Sequence, residues 1–307
     1  MTSILRNLAL VSLAVLAPGI AAAQPAAKNP TQPPVKNGAQ PAVKTAAPDG
    51  VPAEHHPWGR FPVGSWKLTR AITENLDPLG NVTGTSIADT RTILIAADAA
   101  TYTLKYEVTT ESSGKRFVLK PQTIVSGYNG NSATETVTAK KSADGVVEIN
   151  GRKIPCQVQQ ISIEGMGTKY EGTVYVNPTI SPYVLRREGT ANGTTEGSKT
   201  TTMVEVIALA PVRVLADRRN AAFIRKIEKK EGRTTTTLET NCDDIPGGEV
   251  AHSSQEQNAE NKVLQRTTLE LLDYSVGNEQ PNENWGGRRR VLHRSRPRRG
   301  EEISPRR

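Results

Sequence analysis

The feature that most constrains this chain is a two-residue rhythm. Tyr102, Leu104, Tyr106 and Val108 alternate with Thr101, Thr103, Lys105 and Glu107. A strand sends successive side chains to opposite faces, so this spacing specifies one buried and one wet face. Similar alternation runs through 170–176 and 263–271. Threonine, valine and isoleucine recur throughout 58–277. β-Branched side chains lose rotamer freedom in helices and suit a pleated surface. No stretch of that region keeps a 3.6-residue period for the length of a helix.

Turn chemistry punctuates the rhythm. Asn129-Gly130, Asp144-Gly145, Asn150-Gly151 and Asn192-Gly193 offer residues that tolerate positive φ, as tight hairpins require. Asp77 to Gly80 and Pro246-Gly247-Gly248 offer longer turns. Short links join antiparallel neighbours, so the expectation is about ten to thirteen strands, mostly antiparallel, with one face covered. A weak echo links 66–95, 180–209 and 245–272, each a strand, a turn and a longer strand. The expected fold is all-β: curved antiparallel sheet built from duplicated hairpins, as a half-barrel or a sandwich. The domain spans 58–277, with possible halves at 58–150 and 151–277.

The two ends differ from this centre. Residues 1–23 have a single cation, Arg6, then a short apolar run and Ala21-Ala22-Ala23. Such an order reads as a secretory signal peptide cut near Ala23–Gln24, placing the mature chain in the periplasm or outside the cell with no transmembrane segment. Residues 24–57, rich in proline and alanine, read as a disordered linker. The whole chain carries a net charge of +8, most of it in the arginine-rich tail 278–307. There Arg288, Arg289, Arg290, Arg294, Arg296, Arg298 and Arg299 could hold an anionic envelope polymer electrostatically. Trp285 alone is not a stacking series, so no specific nucleic-acid partner is expected.

Few residues in the core suggest chemistry. Two cysteines, Cys156 and Cys242, are too few for a thiolate metal cluster. In an oxidising compartment they are a candidate disulfide, or else two separate thiols, one of them buried and inert. Of four histidines, His55 and His56 fall in the linker and His293 in the tail. Only His252 lies in the core; its neighbour Ser253 must point to the opposite face, so the two cannot form a catalytic pair, and His252 is expected as a plain surface histidine. Gly193 to Thr200 reads as a hairpin turn, since its spacing departs from a phosphate loop. Asp243-Asp244 reads as a solvated turn, lacking the alternating acids of a calcium loop. No catalytic, cofactor or metal residue is nominated.

One order of strands resembles a known family. Gly151-Arg152 and Cys156-Gln157-Val158 precede Ile161-Ser162-Ile163, then Thr173-Val174-Tyr175-Val176, then Pro182-Tyr183-Val184-Leu185-Arg186-Arg187-Glu188. This order resembles the strands of outer-membrane lipoprotein-sorting proteins of the LolA/LolB type, and similar exported β-proteins of bacteria. The resemblance implies an antiparallel half-barrel whose apolar concave face holds acyl chains without a catalyst, although no helices are visible here to cap that face. The resulting expectation is a non-enzymatic exported protein that binds or carries a lipid-like or apolar envelope ligand. The alternative is a structural or adhesion protein whose basic tail grips anionic polymer.

Overall fold

A computed structural model describes residues 50–277, except 133, 166 and 194–198. The expected signal segment 1–23, the expected linker up to 49, the basic tail with its seven nominated arginines, and most of the expected Gly193–Thr200 turn lie outside the described residues.

Among the described residues fourteen strands follow one another: β1 (Trp66–Leu76), β2 (Val82–Ala97), β3 (Thr101–Ser112), β4 (Lys115–Val118), β5 (Gln122–Gly127), β6 (Thr136–Ile149), β7 (Arg152–Gly165), β8 (Thr168–Val176), β9 (Val184–Asn192), β10 (Lys199–Val214), β11 (Asp217–Lys230), β12 (Arg233–Cys242), β13 (Glu249–Gln257) and β14 (Val263–Ser275). All join one antiparallel sheet in the order β4-β3-β2-β1-β14-β13-β12-β11-β10-β9-β8-β7-β6, with β5 also paired to β3. Chain neighbours are sheet neighbours almost throughout, as short connections favour. The exceptions are β4–β5, which both pair with β3, and β5–β6, where the chain crosses from one edge of the sheet to the other; in addition the last strand, β14, pairs with the first, β1, from Trp66↔Ser275 to Asn75↔Gln265. The sheet is therefore a long meander that has not closed, with edges at β4/β5 and β6.

The sheet curls onto itself. Asn150, at the β6–β7 turn, exchanges two hydrogen bonds with the backbone of Leu209 on β10: its amide donates to the Leu209 carbonyl at 2.8 Å and its Oδ1 accepts at 3.2 Å. Arg187 on β9 donates to the carbonyl of Asn129 beyond β5, at 3.2 Å. Bulges supply curvature, because each extra residue bends and twists its strand. The register shifts at Leu94/Ala96, at Lys141/Ala143 and at Val206/Ala208, leaving Ile95, Ser142 and Ile207 out of the ladder. Val147, Ile149, Cys156, Leu185, Val206, Ala222 and Ile224 pack into an apolar cluster under this curl.

Three expectations change. The Asp144-Gly145 pair is no turn; it lies inside β6, with Gly145 opposite Cys156. A Cβ on Gly145 would sit 2.6 Å from a methyl of Val158, so the glycine permits close packing within the sheet. The boundary considered at 150/151 falls inside the β6–β7 hairpin, and the sheet runs through it. The strand count exceeds expectation because the short edge strands β4 and β5 carry too few residues to show a rhythm.

Candidate functional site

The concave face encloses a cavity of about 540 Å³. Alternate residues of each strand line it: Lys67, Thr69 and Ala71 of β1, Ala88, Thr90 and Thr92 of β2, Tyr102, Leu104 and Tyr106 of β3, and Thr235, Thr237, Glu239 and Asn241 of β12. The period of two thus becomes a lumen wall. The wall is two-sided in chemistry. Ile161, Val174, Val184 and Val204, on β7 to β10, are aliphatic, whereas β12 to β14 contribute threonines, Ser254 and Gln265. Cross-strand hydroxyl pairs satisfy part of the polar side: Thr73 and Thr267 meet at 3.2 Å, and Thr237 donates to Ser254 at 3.0 Å.

A cluster of ionisable groups is buried at this wall. Lys226 of β11 forms an ion pair with Glu239 of β12. Asn241 donates to Glu239 at 3.1 Å, while its own Oδ1 has no hydrogen-bond partner. Glu249 Oε1 lies 2.7 Å from His252 Nδ1. Lys67 Nζ donates to the backbone carbonyl of Glu249 at 2.9 Å. Burial pulls the Lys226 ammonium towards neutrality, but the Glu239 and Glu249 carboxylates outweigh it and raise its pKa above the ordinary lysine value. Lys67 lies below that value because burial, with the repulsion of Lys226, exceeds the attraction of Glu249 and Glu239. Burial would raise the Glu249 carboxyl; its bond to His252 and the nearby Lys67 and Lys226 charges overcome this and hold it well below the usual carboxylate range.

One end of the curl is capped by the chain before β1. Ala53–His55 form a 3₁₀ turn. His55 stacks on Tyr183, with ring centroids 4.3 Å apart, and His56 lies against Tyr102 and Tyr128, at 4.6 and 5.1 Å. His56 Nδ1 accepts from the backbone N–H groups of Trp58 and Gly59 at 3.2 and 3.3 Å. Burial, helped by the Arg60 charge, pushes its pKa down to about 3. Trp58 packs over Gly247, whose N–H donates to the Pro57 carbonyl at 2.9 Å. Arg60 forms an ion pair with Asp243. The segment expected as linker therefore stops short: residues 50–57 belong to the fold, because their two imidazoles find partners far along the chain.

Other sequence-nominated residues fall as follows. Cys156 and Cys242 are buried free thiols, so the candidate disulfide is not formed. They occupy different apolar clusters. Their strands, β7 and β12, are five steps apart in the sheet, at about 4.8 Å per step. His252 is not on the surface; its side chain is fully buried. Its face follows from the pairing Glu239↔His252, which puts both on the lumen side, while Ser253 is exposed. Asp243 and Asp244 anchor Arg60 and Arg219 and are no free solvated turn. Sequence reasoning missed Lys67, Lys226, Glu239 and Glu249. The available signal was phase: Lys226 shares the parity of Ala222 and Ile224, which are buried.

The chain matches no protein-family model and no curated protein. Two solved structures are similar to it in part. A lipoprotein candidate from Parabacteroides distasonis ATCC 8503 is 8% identical, with a TM-score of 0.33, over 70% of this chain and 96% of that one. A candidate exported protein with a YmcC-like fold from Bacteroides fragilis NCTC 9343 is 10% identical, with a TM-score of 0.29, over 69% of this chain and 97% of that one. Neither is described as a lipoprotein-sorting protein, and likenesses this slight carry no argument about this chain.

Proposed function

We propose that this is an exported binding or carrier protein that holds a lipid-like ligand in the lumen of its curved sheet, without catalysing a reaction. The observation that carries this reading is the cavity of about 540 Å³, lined by alternate residues from strands all round the curl. That volume falls in the range of ligand sites, about 300–1,000 Å³. Its aliphatic side, with Ile161, Val174 and Val204, would take an acyl chain, and each buried CH₂ would contribute about 0.8 kcal/mol. Its hydroxyl-bearing side would face the polar part of an amphiphile. Export rests on the leader-like residues 1–23.

The test is direct. Protein purified without detergent is extracted into organic solvent for mass spectrometry, then titrated with a fluorescent fatty-acid analogue. Co-purifying lipid, and saturable uptake near one probe per chain, are expected. Absence of both would overturn the reading.

A further inference from the structure

We infer that the lumen selects amphiphiles with an anionic head, and that the Lys67 ammonium is the group that receives it. This deepens the proposed function and rests on it.

Lys67 opens onto the cavity yet is more than nine-tenths buried, at 8% exposure. An ammonium has three N–H donors. Among the described residues one hydrogen bond is formed, to the backbone carbonyl of Glu249, and no carboxylate makes an ion pair with Lys67. The nearby acids are engaged elsewhere: Glu239 with Lys226, and Glu249 with His252. The two lysines of the cluster are therefore unlike. Lys226 has its counter-ion in contact; Lys67 feels its acids only through space and keeps donors to spare. A buried cation is costly unless paired and hydrogen-bonded. A carboxylate or phosphate oxygen placed at Lys67 would take up a spare donor as a charge-assisted bond, the stronger kind.

The surroundings orient such a ligand. Thr69 and Ala71 follow Lys67 along the lumen side of β1, with Ala88 and Thr90 beside them on β2. The wall thus passes from cation to hydroxyl and methyl within a few residues. An acyl chain attached to the head at Lys67 would run along it.

The experiment uses the delipidated full chain and three probes with the same C18 chain: oleate, oleyl phosphate and oleyl alcohol. Binding is measured by displacement of a neutral fluorescent probe. Oleate, oleyl phosphate or both should bind at least about tenfold more tightly than the alcohol, as one charge-assisted hydrogen bond supplies. Preference for only one anion assigns the head as carboxylate or as phosphate. Lys67→Met should bring the anions down to the affinity of the alcohol and leave the alcohol unchanged; Lys67→Arg should keep the preference. Equal binding of all three by the wild-type protein would overturn the inference while leaving the carrier reading intact, and needs no variant to fold. Binding of none would overturn both.

Discussion

Lys226 on β11 and Glu239 on β12 form an ion pair inside the curl, diagonal to one another, with Lys226 opposite Thr237 and Glu239 opposite Ile224. The Glu239 side chain is 4% exposed and that of Lys226 30%, so their attraction is set against a desolvation cost that falls mainly on the carboxylate. Removing one partner strands the other. Lys226→Met, which strands the buried Glu239, should destabilise by about 3–5 kcal/mol and Glu239→Gln by less, while the double variant should lose clearly less than the sum of the two. Urea unfolding of the four proteins measures this. Additive losses would show that the pair is not coupled.

The cap should titrate. His56 accepts two backbone N–H bonds at Nδ1, and protonation would replace that acceptor with a donor. Its folded pKa, about 3, lies below the ordinary 6.5. Between those values the unfolded chain binds a proton that the folded chain refuses, so its contribution is complete above pH 6.5 and is lost as pH falls towards 3. The slope is at most about 1.4 kcal/mol per pH unit. His56→Asn keeps an acceptor and removes the titration, and should flatten stability between pH 6.5 and 4.5. An unchanged acid limb would show that His56 is already accessible to protons.

Glu249 adds a second, lower window of the same sign. Its carboxyl is depressed, so the stability it contributes is present above its unfolded pKa of about 4.3 and disappears as pH falls below it. Glu249→Gln should reduce the acid-limb slope below about pH 4, where His56 still contributes down to about pH 3, and leave the slope between pH 6.5 and 4.5 unchanged. Chemical denaturation at matched ionic strength separates the two windows. Loss of slope at pH 5 to 6 in this variant would assign the windows wrongly.

Much of the architecture was written in short-range pattern. Tyr102 and Leu104 are buried, as their alternation required, and Asn150-Gly151 makes a hairpin turn with φ of 53° and 72°. What lay hidden depends on tertiary phase. His252 and Glu239 are polar, so a hydrophobic rhythm assigns them outward; only the ladder pairing sends both inward. The cap was equally hidden, because His55, His56 and Trp58 are isolated in a polar, proline-rich stretch and bury against residues distant in the chain, from Tyr102 and Tyr128 to Tyr183 and Gly247. Curvature comes from single-residue bulges at Ile95 and Ile207, which leave no compositional mark.

Trp58 should hold the cap to the sheet. It is 7% exposed, and Gly247, at φ 75°, leaves room for its indole, since a Cβ there would come within 2.7 Å of the ring. Trp58→Ala should cost about 3–5 kcal/mol through lost burial and the void left behind. Gly247→Ala meets both the ring and an unfavourable positive φ, and should destabilise in the same direction. Thermal melts give the loss, and amide exchange at Gly247, whose N–H bonds Pro57, reports whether the cap has opened. Fast exchange in the wild-type protein would mean that the cap is not held as described.

The two thiols should behave as core atoms. Cys242 is fully buried and Cys156 is 5% exposed, each packed among aliphatic side chains. Burial pushes both thiols up, away from the reactive thiolate. They are free thiols in different apolar clusters, so a bridge, which needs Cα atoms about 4.4–6.8 Å apart, would require those clusters to repack. Native protein from an oxidising compartment should therefore run identically with and without reductant. A thiol reagent should modify both cysteines only in denaturant. A reductant-sensitive mobility, or a native form with no titratable thiol after unfolding, would place Cys156 and Cys242 together and contradict their placement in separate clusters.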